Sequence, residues 1–313
     1  MNTQATALRL HRRSHPGLTN RQREAIEGYL CISPWFIGFL IFTAGPMLAA
    51  LGLSFTELKL NTAPTFVGLS NYTEMFQAPL FWHALSVTVR YTIISVPLRL
   101  VLALAVALLM IRPLRGIFAL RTMYYLPAVL GGVPIALLWM WVLRDDYGIL
   151  NYLLRLAGII GPRWLDDPAW APWSLVMMSA WNFGMPMVIF IAGLQSIPVQ
   201  LYEAATIDGG NGWQKLRYVT LPMLTPTTLF LLVSQIIASF QVFDIAFIVS
   251  RGDGGPVRST LVYLLYFYRQ GFTYFRLGYA SALAMVLLLI ILALTVVIFK
   301  SSGLWVFYES EVR

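Results

Sequence analysis

Six stretches of this chain are too long and too apolar to sit in a water-soluble domain. A helix needs about 20 consecutive, mostly apolar residues to cross the roughly 30 Å hydrocarbon core of a bilayer. Runs of that kind occupy 29–53, 88–111, 117–143, 172–194, 224–250 and 277–300. Backbone amides in hydrocarbon must be satisfied within their own segment, so such runs form helices. The expected fold is an all-α, polytopic transmembrane helical bundle of about six spans. Composition agrees: 58% of the residues are hydrophobic and 12% charged, against roughly half and a quarter in soluble domains. Pro46, Pro97, Pro127, Pro134 and Pro186 fall inside the runs, which predicts kinked helices around a cavity, because neighbouring groups can re-satisfy the freed carbonyls. The first run is longer than a signal-peptide core and no small-x-small site follows it, so it reads as a helix retained in the membrane.

The net charge of +8 is explained by where the basic residues lie. Arg9, Arg12, Arg13, Arg21 and Arg23 precede the first run, as in a cytoplasmic tail. A nucleic-acid binder would instead mix such charges with aromatics on a folded surface, and no nucleic-acid partner is expected. With the N-terminus inside, the cytoplasmic segments hold twelve Lys and Arg, the remaining loops eight. Both termini are therefore expected in the cytoplasm: tail 1–28, transmembrane domain 29–303 and tail 304–313. Loops 54–87, 144–171 and 251–276 are expected outside. Arg90 can snorkel to the outer interface, whereas Arg99 lies deeper and must face protein or a wet cavity. Cys31 is the only cysteine, so no internal disulfide forms, and it reads as a small packing residue. His11, His15 and His83 lack metal-ligand spacing, and no metal site is expected. No nucleophile–base cluster occurs, so no catalytic residues are expected. Lys59, Lys215 and Lys300 are the only lysines. None stands in the Gly-rich Gly-Lys-Ser/Thr context that cradles phosphates, so the chain is not expected to hydrolyse ATP itself.

One cytoplasmic loop, about 196–223, has a structure of its own. Pro198 suits the first turn of a helix. Leu201, Ala204, Ala205 and Asp208 fall on adjoining turns of one face. Gly209 and Gly210 can end that helix through a left-handed residue. Asn211 can cap a second short helix through Lys215 and Arg217, and Pro222 is expected to reset the chain before the fifth span. The result is a helix–turn–helix at the membrane surface. Two readings fit: a docking element whose alanines admit a close partner, or an ordinary amphipathic interfacial helix.

The spacing Glu203-Ala204-Ala205, Gly209, Val219, Leu221-Pro222 resembles the EAA signature of ABC-importer permeases. Val219 stands where that family usually has Ile, Gly210 where it often has Ala, and Leu216 where it has Phe; the spacing is intact. The resemblance extends along nearly the whole chain to the carbohydrate-uptake branch, the maltose-type and glycerol-phosphate-type permeases. Its carriers are Phe66-Val67-Gly68-Leu69 with Asn71-Tyr72, Tyr147-Gly148-Ile149-Leu150-Asn151, Phe243-Asp244 with Gly254-Gly255-Pro256, and Gly278-Tyr279-Ala280-Ser281-Ala282. It implies a permease subunit in a bacterial or archaeal cell (inner) membrane that passes a sugar or sugar-like solute inward by ATP-driven alternating access. The implied partners are a solute-binding protein, a second homologous permease in a heterodimer, and two cytoplasmic ATP-binding subunits. ATP and Mg would sit on those subunits, with no cofactor on this chain. Glu203, Ala204, Ala205, Asp208, Gly209, Leu221 and Pro222 would form the ATPase-coupling loop. A secondary transporter or channel would need no docking loop and would usually show inverted repeats.

Solute sites in transporters lie near the bilayer midplane, so polar groups within the spans are candidates for the pathway. The fourth span offers Trp181, Asn182 and Gly184. The fifth offers Gln235, Ser239, Gln241 and Asp244, with Gln235 and Ser239 on one face. Hydrogen bonding between helices is the alternative role for each.

Overall fold

The computed structural model describes residues 19–59, 63–111 and 116–307. Arg9, Arg12, Arg13, Arg112, Arg115 and Arg313, which entered the charge count, lie outside those residues. The chain forms two compact units, one ending at Gly52 and the other beginning at Leu53.

The first unit is helical from Asn20, not from about 29. A capping box sets the start: Gln22 N–H donates to Thr19 Oγ1 and Thr19 N–H to Gln22 Oε1. The turns that follow are polar, so hydropathy does not register them. The helix Asn20–Phe39 continues through a π-helical turn, Leu40–Ala44, into Gly45–Leu53. The wide turn has a local reason. Pro46 has no N–H to give the carbonyl four residues back and its ring crowds that carbonyl. Gly45 N–H instead reaches Leu40 O, which places the wide turn immediately before the proline. Cys31, expected to pack, is exposed.

In the second unit the second span is one helix of 32 residues, Pro79–Met110. It begins well before position 88, with Pro79 in the first turn, where a missing N–H costs nothing. Its length of about 48 Å exceeds the hydrocarbon thickness, so its ends stand in the interfacial layers. The last span, Leu277–Ser302, lies close to expectation. The fifth runs from Thr225 to Val249 and is interrupted at 241–243, where Phe243 leaves helical geometry.

The third and fourth spans are not the single helices expected over 117–143 and 172–194. Ile117–Leu130 meets Gly132–Val142 at 104°, and Ala171–Ala180 meets Gly184–Gln195 at 43°. Four spans are thus continuous or nearly so, and counting each bent pair as one gives six. The breaks do not fall at the prolines. Gly131 carries the sharper one at φ 77°, ψ 174°, a conformation essentially confined to glycine. Pro134 and Pro186 lie in the first turns of the helices that restart, where N–H groups have no intrahelical acceptor.

The segment before the second span, expected as a loop, contains a two-stranded antiparallel ribbon, Thr56–Glu57 with Thr65–Phe66, and a helix, Ser70–Gln77. Buried Asn71 donates to Ser54 O and Thr56 O at 2.8 and 2.9 Å. Leu277 N–H donates to Leu58 O, and Arg276 pairs with Glu74, so this segment is tied to the start of the last span. A hydrogen bond from Lys59, reinforced by its charge, holds the Glu57 carboxyl below the usual carboxylate range. Three apolar cores fill the described part of the unit, the smallest around Leu143, Trp164 and Met178. Of the two larger ones, one centres on Phe81, Tyr91, Tyr263 and Leu283, the other on Met187, Phe190, Leu194, Leu224 and Leu231. Within 304–307, expected as tail, Val306 is buried and Phe307 N–H donates to Thr225 Oγ1 at 2.8 Å, while Leu304 stays exposed.

Candidate coupling loop and solute pathway

Between the fourth and fifth spans the chain folds into the expected helix–turn–helix. Val199–Ile207 follows Pro198. Gly209, at φ 77°, closes it, with Gly209 N–H donating to Thr206 O and Gly210 N–H to Ala205 O at 3.0 and 2.8 Å. That pair of bonds is a Schellman cap, and glycine adopts the required left-handed conformation without a Cβ penalty. Asn211 and Gln214 form a second capping box, at 2.8 and 2.9 Å. Gly212–Lys215 then continues through a second π-helical turn, Leu216–Thr220, into Leu221–Met223. Pro222 therefore does not reset the chain. Leu221 N–H reaches back five residues to Leu216 O, the same solution that Pro46 imposes in the first span.

Glu203, Ala204, Asp208, Gly209 and Leu221 are exposed, while Ala205 and Pro222 are half-buried. Three large apolar side chains also face outward: Ile207 is 86% exposed, Tyr218 69% and Trp213 67%. On the inner side, the Tyr202 and Thr220 hydroxyls hydrogen-bond at 3.0 Å; at the surface, Lys215 Nζ donates to Thr206 Oγ1 at 2.8 Å.

The seven pathway candidates fall into three groups. Gln235 and Ser239 face the second span: Gln235 Oε1 accepts from Arg99 Nη1 at 2.5 Å, and Ser239 donates to Thr92 Oγ1 at 2.9 Å. Gly184 is buried against Tyr124 and Tyr125 of the third span, where a Cβ would lie 2.9 Å from the Tyr125 Cα. The remaining four stand exposed at helix breaks: Trp181 and Asn182 in the fourth span, Gln241 and Asp244 in the fifth. Both breaks meet the helix Gly132–Val142 of the third span. Trp181 meets Trp139 of the third span edge to face, at 5.3 Å, in a cavity of about 510 Å³ also lined by Leu98, Leu138, Met177 and Phe183. Asp244 rests on Gly132, where the third span restarts, which sets a carboxylate at the positive end of a helix dipole.

Arg99, Thr92, Trp139, Tyr202 and Thr220 were not among the sequence candidates for either site. Arg99 alone carried a signal: a charge deep in an apolar run must face protein, and it is buried against the fifth span. Trp139 looks like any packing aromatic, yet its indole N–H is buried with no partner among the described residues.

The model of a family described as the binding-protein-dependent transport system inner membrane component matches residues 88–301. YesP of Bacillus subtilis, a probable ABC transporter permease protein, is 44% identical over 93% of this chain and 94% of its own length. The lactose transport system permease protein LacF of Rhizobium radiobacter is 33% identical over 86% of this chain and 92% of its own. Among solved structures, a chain of a bacterial ABC transporter involved in import of the acidic polysaccharide alginate superposes with a TM-score of 0.75 and 25% identity. That likeness covers 90% of this chain and 98% of the other.

Proposed function

Because this chain belongs to the family of binding-protein-dependent transport system inner membrane components, we propose that its solute is a saccharide and that a cytoplasmic ATPase docks on its 196–223 loop. It is a multi-pass membrane permease subunit of an ABC importer, and ATP hydrolysis belongs to a separate subunit. The docking assignment rests chiefly on the exposed apolar tip, Ile207, Trp213 and Tyr218, carried on a hairpin rigidly capped at Gly209 and Asn211. An interfacial helix would turn such residues to one lipid-facing stripe. Here they stand on both arms, Ile207 at the end of the first and Trp213 and Tyr218 along the second, a shape that suits a protein groove. The saccharide class is supported by the lactose permease and alginate importer relatives. It is also supported by exposed Trp181 and Asn182, which offer an aromatic face and an amide to sugar hydroxyls. A second, homologous permease and two ATP-binding subunits complete the assembly in this reading.

The test is to purify the chain with the ATPase, second permease and binding protein encoded beside it, and to assay uptake of neutral and acidic mono-, di- and trisaccharides in proteoliposomes. ATP-dependent uptake of at least one saccharide is expected, and Asn182→Leu should reduce it without loss of assembly. An assembly that retains no ATPase, or moves only amino acids or ions, would refute the assignment.

Orientation follows from the same reading. The Phe307 to Thr225 hydrogen bond puts the C-terminal segment and the 196–223 loop at one end of the unit, consistent with both facing the cytoplasm. Reporter fusions after residue 20, after Thr65 and after residue 205 should read inside, outside, inside. An outside signal after residue 205 would remove the loop from any cytoplasmic ATPase.

A further inference from the structure

The inward side of the 196–223 loop carries a contact that docking does not explain. Tyr202 lies on the helix Val199–Ile207, one residue before Glu203. Its ring packs on the core formed by Leu194, Ile197, Leu224 and Leu231, and its hydroxyl meets the Thr220 hydroxyl at 3.0 Å. Thr220 is itself buried, and its hydroxyl also reaches Lys215 O at 3.3 Å. The three groups form one chain: Tyr202 Oη donates to Thr220 Oγ1, which donates to the Lys215 carbonyl. Thr220 is the last residue of the π-helical turn Leu216–Thr220, and the fifth span begins at Thr225 after one further turn.

Mechanically, this arrangement is a pinned joint. A π-helical turn carries one residue more than an α-turn and tends to mark functional positions in helices. Left alone it is the natural place for the rod from Gly212 to Met223 to bend, because Pro222 leaves a ladder bond unmade. The Tyr202 hydroxyl bridges that weak point from the opposite arm. Force applied to Glu203 and Ala204 would otherwise fold the hairpin at Leu216–Thr220. With the pin it passes to the fifth span. Lys215 to Thr206 is a second tie between the arms, but Lys215 precedes the wide turn and cannot brace it.

We propose that the Tyr202–Thr220 hydroxyl pair is the positioning contact that makes the docking helix and the fifth span move as one body when the ATPase closes. The inference rests on the docking assignment above.

The experiment uses the full importer, in a Cys31→Ser background that frees the chain of its only cysteine. Nitroxide labels go on cysteines placed at Gln200 and Phe230, both exposed. Pulsed EPR distances are compared without nucleotide and after trapping with MgATP and orthovanadate. In the parent, the Gln200–Phe230 distance should be single and the same in both states. Tyr202→Phe and Thr220→Val should each retain the ATPase and hydrolyse ATP, yet show a second, displaced distance on trapping. The double variant should be no worse than either single one, because the two side chains make one contact. Thr220→Ser, which keeps the hydroxyl, should restore the single distance lost in Thr220→Val. Unchanged distances in both variants, or a parent distance that itself shifts, would overturn the proposal. So would loss of ATPase binding in Tyr202→Phe, which would assign the pair to folding of the loop. Failure of the parent to retain the ATPase is a separate result and would remove the docking assignment itself.

Discussion

Gly184→Val is expected to destroy the folded transmembrane unit, and Gly184→Ala to lower its thermal stability measurably. The fourth span restarts at Gly184 with its backbone against that of the third. A Cβ there would fall within contact distance of Tyr124 O and 2.9 Å from Tyr125 Cα. Both atoms belong to a backbone, so no rotamer change relieves the clash, and one helix must move off the other. Over-packing of this kind costs about 1–3 kcal/mol for small additions, and a branched side chain adds to it. The neighbouring Met187 and Phe190 are fully or almost fully buried in the same core and transmit the displacement. Gly28→Ala provides the contrast: nothing lies within 4 Å of a Cβ at that position, and alanine is the better helix former by roughly 1 kcal/mol. Melting followed by fluorescence-detected size exclusion in detergent separates the cases. A Gly184→Ala protein as stable as the parent would show that the two spans do not approach as closely as described.

Gly209→Val and Ala204→Trp should each abolish solute uptake by the assembled importer, for different reasons. Gly209 holds φ 77°, and its N–H and that of Gly210 make the two bonds of the helix cap. A β-branched residue in left-handed geometry costs about 1–2 kcal/mol, and unwinding the cap frees the two arms of the hairpin. Ala204 is exposed beside Glu203 on the outer face, where an indole would hold a docking surface away from the helix backbone. Gly209→Val should therefore keep some ATPase but uncouple hydrolysis from uptake, whereas Ala204→Trp should weaken ATPase retention itself. The transmembrane unit should remain folded in both, since neither residue is buried. Co-purification, hydrolysis and uptake from one preparation distinguish these outcomes. Tight assembly with parental uptake in both variants would sink the docking role of the loop.

The features legible in the sequence are those governed by short-range physics. Run length against bilayer thickness locates the spans, since hydrocarbon leaves the backbone no alternative to helix. Gly209 and Asn211 announce the hairpin because a cap is satisfied by bonds within a few residues. Even the early start at Thr19 is local, although an apolar count passes over a polar capping box. Pairing between spans was decided elsewhere. Helical spacing puts Gln235 and Ser239 on one face, but nothing in the fifth span specifies that Arg99 and Thr92 of the second occupy the space opposite. The prolines point to kinked helices, yet the sharpest bend sits at Gly131. There the restarting helix is met by Asp244 from far along the chain. At Gly184, a pathway candidate in sequence, the backbones of the third and fourth spans come together. Side-chain character is a property of the residue; which partner completes its hydrogen bonds, and how closely two helices must approach, depends on packing brought together only in the folded bundle.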